Sequence, residues 1–321
     1  MRYRSTLLYL LAAVVLVAFY LYETRKEEKE QTVKEEAKVI FPVKLSQLQI
    51  LELKREDGTI QLEKTSVDAD WVLVSPIHAP TDRMTLSRLE RTLAELKVER
   101  LISESAAALS DFGLDRPSLV LSLKGEKEGE TLSIGAQSPL GASFYASVGK
   151  NRKVFLLSGS QRQELDKSLY DLRDKKLLSL EMGRITDVMI ERKQIRWHLH
   201  KKEDRWCLEG DEGLRVDQKK VEVFLRPILW ADAVSFESES AEDVKAYGLH
   251  VPAARIALSD GAKTEEIVFG DLVKDAREAS FYAMVRGKPQ IVTVRKRLLA
   301  DIPAEKETLR EGEEDKKEGV N

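Results

Sequence analysis

Cysteine is almost absent from this chain: Cys207 stands alone among 321 residues, which excludes an intramolecular disulfide. No cysteine stands directly behind the N-terminal apolar run, so a lipoprotein anchor is not expected either. Charge of one sign is also lacking. The 52 Lys and Arg against 55 Asp and Glu leave a net charge of -3, without the basic stripe of a nucleic-acid binder. Histidine is limited to four residues, and there is no Gly-x-Ser-x-Gly, His-Glu-x-x-His, phosphate loop or Cys/His nucleophile pair. These absences remove the common hydrolase, zinc-protease and nucleotide-binding readings. No catalytic, cofactor-binding or metal-ligating residue is assigned, and the expectation is a protein that is not an enzyme.

Internal self-similarity is the strongest positive signal. At a shift of 135 residues Trp71 falls on Trp206, Asp82 on Asp217, Phe112-Gly113-Leu114 on Tyr247-Gly248-Leu249, Pro117 on Pro252 and Gly135 on Gly270. Two residues are then inserted in the second copy, and Phe144-Tyr145-Ala146 falls on Phe281-Tyr282-Ala283. The shared residues are aromatics, turn glycines, prolines and a helix-capping acid, all of which build structure.

Ahead of the copies, Ser5 to Tyr22 carries no charge. As a helix it spans about 27 Å, close to a hydrocarbon core of about 30 Å. Aromatic rings near both ends suit the membrane interface. A cleaved signal peptide is the rival, but Phe19-Tyr20-Leu21-Tyr22 offers no small-x-small cleavage site. The expected layout is a cytoplasmic tail at 1–4, a transmembrane signal anchor at 5–22 and a charged stalk at 23–41. Repeat one then occupies 42–180, repeat two 181–303, and a disordered polar tail 304–321. Positive charge flanks the anchor on both sides, so orientation rests on the short N-terminal tail staying inside. The body is therefore expected in the periplasm, on a single-pass inner-membrane protein.

Within each copy the fold class is α+β, mainly antiparallel sheet with packed helices. Alternating apolar residues and the Asp57-Gly58 turn give a hairpin, and Trp71 to Val74 a third strand. Leu86, Leu89, Leu93 and Leu96 recur at helical spacing after Asp82, as do Val221, Phe224, Leu225 and Ile228 after Asp217. The repeated aspartates are read as helix N-caps rather than catalytic carboxylates. Gly113, Leu114 and Pro117 read as a helix end with a left-handed glycine. Leu119 to Leu123 and three later runs supply four more strands, and Gly159 to Leu169 a closing helix. Gly125 and Gly129 flank a charged hairpin tip and are not a phosphate loop.

The remaining reactive residue types all have ordinary readings. His198 and His200 lie two apart on one expected strand and share a face. That is half of a metal site at most, since neither His78 nor His250 has a partner at useful spacing. They are read as part of an exposed polar face with Arg196, Lys201 and Lys202. Cys207, beside Trp206, is read as a small buried hydrophobe. The four tryptophans are expected to serve packing.

With Trp-x10-Asp, the (Phe/Tyr)-Gly-Leu-x-x-Pro element and the paired Phe-Tyr-Ala strands in view, the body resembles the DUF4340 family in two tandem copies, over roughly residues 45 to 300. Asp115-Arg116 in copy one becomes His250-Val251 in copy two, which suggests solvent-facing positions. The resemblance implies a bacterial membrane-anchored protein of the kind found near ABC-type transporter and gliding-motility components. It implies an accessory or scaffold role with a protein partner such as a transporter subunit. It carries over no catalytic residue and no cofactor. An extracytoplasmic small-ligand or glycan-binding sensor, or an enzyme with a site between the copies, is the alternative. Oligomeric state is not assigned.

Overall fold

The computed structural model describes residues 48–311, apart from 67, 126–128, 140, 193–194, 212, 275–277 and 303–304. The expected tail at 1–4, anchor at 5–22 and stalk at 23–41 lie outside the described residues, as do 312–321. Among the described residues no helix is long and apolar enough to cross a membrane.

Two compact units divide the chain, Met1–Asp174 and Lys175–Asn321. The boundary expected at 180/181 thus falls earlier, and the backbone explains why. Asp174 N–H donates to the Pro80 carbonyl in the first unit, whereas Leu177 N–H donates to Ala231 and Lys176 bridges Asp232 in the second.

The first unit runs β1 (Leu48–Arg55), β2 (Gly58–Glu63), β3 (Val72–Ser75), β4 (Ala79–Pro80), α1 (Arg83–Ala94), β5 (Arg100–Ser103), β6 (Leu119–Gly125), β7 (Gly129–Gln137), β8 (Phe144–Val148), β9 (Val154–Leu157), α2 (Gly159–Leu165) and α3 (Leu169–Leu172). Its strands form one antiparallel sheet in the order β4-β3-β2-β1-β6-β7-β8-β9-β5. Period-two alternation decides which side is buried: Leu51, Leu53, Ile60, Leu62, Leu121 and Leu123 point to one face. Leu86, Leu89 and Leu93 of α1 close over that face with Leu165 and Leu172.

The second unit repeats this plan: β10 (Asp187–Arg192), β11 (Ile195–Lys202), β12 (Arg205–Leu208), α4 (Gln218–Leu229), β13 (Ser235–Ser238), β14 (Ala254–Ser259), β15 (Thr264–Leu272), β16 (Ser280–Val285), β17 (Ile291–Arg295) and α5 (Arg297–Ala300). Its sheet order is β12-β11-β10-β14-β15-β16-β17-β13, the order of the first unit without β4. The registers coincide as well. Leu53 pairs with Ile60 and Leu121 in one unit, and Ile190 with Trp197 and Ile256 in the other. Two mainly antiparallel sheets with few helices are therefore the architecture.

Three expectations about this layout need correction. Residues 100–103 and 235–238, which have no strand in the expected layout, are edge strands β5 and β13, pairing with β9 and β17. Of the tail expected to be disordered from 304, the described residues 305–311 fold back instead. Lys306–Leu309 forms a 3-10 turn that buries Leu309 completely, and Arg310 bridges Val216. One apolar residue in a polar run sufficed, because the position was prepared by duplication. Asp217 N–H donates to the Leu309 carbonyl as Asp82 N–H donates to Leu172, and Glu311 N–H bonds Arg215 as Asp174 N–H bonds Pro80. Repeat two therefore extends to 311 rather than 303. Finally, Cys207 is not in the core. Trp206 and Leu208 point inward, so strand alternation turns Cys207 to the opposite, half-buried face.

Candidate functional site

The shared motif residues form a structural lock in each unit. Gly113 and Gly248 adopt φ of 64° and 70°, the left-handed region that glycine enters without steric cost. The turn closes when Leu114 N–H donates to Leu109 and Leu249 N–H to Val244. Its carbonyls then press on the sheet at Gly135 and Gly270. A Cβ there would lie 2.3 Å from the Phe112 oxygen and 2.1 Å from the Tyr247 oxygen. Phe112 meets Tyr145 edge-on at 5.0 Å between centroids, and Tyr247 meets Tyr282 likewise at 5.0 Å. Each lock covers a small apolar cluster on the sheet face away from the long helix.

The other repeated residues are equally structural. Asp82 caps α1 by accepting from Thr85 N–H at 2.7 Å, and Asp217 caps α4 by accepting from Lys219 and Lys220 N–H at 2.9 and 3.2 Å. Trp71 and Trp206 are both buried, each under a lysine: Lys64 at 4.9 Å and Lys201 at 5.4 Å from the ring centroid. Lys201 thus turns to the Trp206 side of β11, away from the histidines with which it was grouped.

Where the units differ, side chains of functional type gather. On the open face of β10–β12 the strand registers place Asp187 opposite His200, Met189 opposite His198, and Cys207 opposite His200. His198 Nδ1 lies 2.5 Å from a Glu209 oxygen and Nε2 lies 3.4 Å from Asp187 Oδ1. The hydrogen bond that the ring donates to Glu209 is the main reason the His198 pKa is raised above 6.5, with partial burial opposing and Asp187 reinforcing it. The imidazole is thereby held between two carboxylates. His198 and His200 sit 5.8 Å apart, but among the described residues no group of three or more His, Cys, Asp or Glu is placed to hold a metal ion. His78 and His250 are exposed.

Among the described residues Glu265 is the most deeply set carboxylate of the second unit. Burial, the largest influence, pushes its pKa up. Lys263 at 2.6 Å, Ser179 N–H at 2.7 Å and Ser179 Oγ at 2.9 Å outweigh it, so the net shift is downward. This side chain fastens the chain at Ser179 to β15 and has the geometry of an anchor.

A further difference lies on α4. Its buried side is Val221, Phe224, Leu225, Ile228 and Leu229, as the spacing predicts. Its outer side carries Val223 at 69% and Trp230 at 71% exposure, with Arg226 stacked on the Trp230 ring at 5.6 Å. Three tryptophans pack as expected, and Trp230 does not. The reason is positional: it is the C-cap residue of α4, one step beyond Leu229, on the helix side facing solvent. At the matching places α1 has the exposed, charged Arg88, Arg91 and Glu95. This surface was missed because the helix was read only for its core stripe. Laying α4 over α1 residue by residue would have revealed it.

The family comparison agrees with the duplication. The model of a domain of unknown function, DUF4340, matches residues 71–237 and again 206–314, each match opening on one of the two buried landmark tryptophans. The second match runs past Leu309, in keeping with the folded end of repeat two. No curated protein and no solved structure matches the chain.

Proposed function

Because the chain belongs to the DUF4340 family, described as a domain of unknown function, we propose from its own residues that it is a membrane-tethered, non-enzymatic scaffold that binds a protein partner at the cell envelope. The observation that carries this is the division of labour between shared and unshared residues. Positions common to the two units cap helices, lock turns and fill cores. Buried positions such as Leu89 against Phe224 and Leu93 against Ile228 exchange one apolar residue for another, whereas changes of chemical type are found outside the core, as in Arg88 against Val223, Glu95 against Trp230 and Gln61 against His198. A duplicated frame with divergent surfaces suits binding, where a few exposed side chains dominate affinity. The uncharged run 5–22 supplies the tether and the polar run 23–41 the spacer in this reading. The body lies outside the cytoplasm, and a transporter subunit is the partner class.

Affinity capture of the detergent-extracted full chain, followed by mass spectrometry, tests the proposal. Transporter subunits should be enriched over a control membrane protein, and recovery of nothing above background would count against the scaffold. A reporter fused after Asn321 that is active only in the cytoplasm would reverse the orientation.

A further inference from the structure

We propose that the outer ridge of α4, Lys219, Val223, Arg226 and Trp230, is a docking seam for one helix of a partner protein. That helix would carry carboxylates facing Lys219 and Arg226, and apolar side chains against Val223 and Trp230. The inference rests on the scaffold reading above and names the surface that serves it.

The spacing is the first argument. The four residues follow one another by four, three and four positions, the interval that keeps side chains on a single seam between two packed helices. The opposite side of α4 is already committed to the core, so the ridge is a face left over after folding, not a folding requirement. The first unit proves that point: α1 packs in the same way with Met84, Arg88, Arg91 and Glu95 at the matching places. An exposed tryptophan with a guanidinium on its ring also presents the two residue types most enriched among binding hot spots.

Charge selects the occupant. Lys219 and Arg226 alternate with the apolar pair along the ridge, and none of the ion pairs found among the described residues neutralises either. A second copy docking through the same ridge would set these cations against one another. An acidic seam complements them. A bilayer is the weaker fit, because a helix lying on a membrane buries a broad apolar face, whereas the broad apolar face of α4 is occupied.

The test replaces Val223 with photoreactive p-benzoylphenylalanine in the full chain in its native cells, with Arg88 replaced in the same way as the matched control. The expected result is an adduct from position 223, at least about tenfold above position 88, whose cross-linked peptide is an acidic amphipathic helix of another protein. In the same cells Trp230→Ala, and separately Lys219→Glu with Arg226→Glu, should weaken partner capture by roughly thirtyfold, the loss expected of a hot spot. Unfolding midpoints should stay unchanged, since all three side chains are on the surface. The charge pair leaves both apolar contacts in place and so tests the seam independently. No adduct, equal yields at 223 and 88, an adduct to phospholipid, or an adduct to residues 23–41, 312–321 or a second copy of this chain would each overturn the proposal. If wild type and variants recover the same partner equally, the ridge is wrong and the scaffold stands. If wild type recovers nothing, the scaffold reading itself fails.

Discussion

Where the first unit has Glu95 the second has Trp230, and where it has Gln61 and Glu63 the second has His198 and His200. Yet Phe112 and Tyr247 meet their tyrosines at the same centroid distance, and Asp82 and Asp217 cap equivalent helices. The two halves therefore separate what the fold requires from what it tolerates. The landmark residues found in both are held by packing or by an obligatory hydrogen bond, and the exposed residues found in one alone were free to change. That contrast can be strained at chosen points, starting with the residues whose equivalence is deepest.

The largest effect should come from Leu309→Ala. Its side chain is fully buried at the place of Leu172 in the first unit. Truncating either should cost about 2–5 kcal/mol, the usual range for a buried leucine left as a cavity. Denaturant unfolding of the two variants would measure this. A near-zero loss for Leu309→Ala alone would mean that residues 305–311 are not part of repeat two.

Gly135→Ala and Gly270→Ala come next. Each new methyl would press on a backbone carbonyl at little over 2 Å, which a side-chain rearrangement cannot relieve. A loss of about 1–3 kcal/mol follows from overpacking of this kind, and the two should agree closely. A gap between them would show that the locks are not equivalent.

Glu265→Gln sharpens the comparison from the other side, since Glu130 at the matching place is exposed. Removing the charge weakens its bonds from Lys263 and Ser179, for a loss of about 1.5–3 kcal/mol, whereas Glu130→Gln should change stability by no more than about 0.5 kcal/mol. The folded carboxyl has a lowered pKa, so its contribution is present above the unfolded value of 4.5 and is lost as pH falls through the folded value. The wild type should lose this increment in acid, and Glu265→Gln should not. An unaltered acid limb in the variant would break the assignment.

The frame was readable from the sequence because its causes are local. Helical spacing after Asp82 and Asp217, alternation in Leu119–Leu123 and the left-handed glycines each act within a few residues. What escaped has non-local causes. Strands β5 and β13 become strands only because an edge of β9 and of β17 is open to them. The 306–309 turn is ordered by Val216 and Asp217, which lie far away along the chain. Cys207 and Trp230 were misplaced because an apolar residue was assumed to be buried, although strand phase and helix position decide which side it faces. His198 and His200 were rightly put on one surface, but Glu209 and Asp187 beside them follow only from the sheet register.

The smallest effect concerns that histidine. With Glu209 and Asp187 on its two nitrogens and His200 beside it, His198 should titrate above 6.5 in the folded protein. Its folded pKa exceeds the unfolded one. The linked stability is therefore fully present below about pH 6.5 and lost as pH rises through the folded value. The side chain is 34% exposed, so screening by water limits this contribution to about 1 kcal/mol at most. Proton NMR titration of the ring would measure the shift directly. Glu209→Gln should move the midpoint down, because it removes the dominant partner. Asp187→Asn should move it less, because its contact is longer. Neither change should touch the first unit, where Gln61 occupies the place of His198 and carries no titrating group. If Glu209→Gln leaves the midpoint where it was, the pair does not hold the proton. The open face of β10–β12 would then differ from its counterpart in residue type alone.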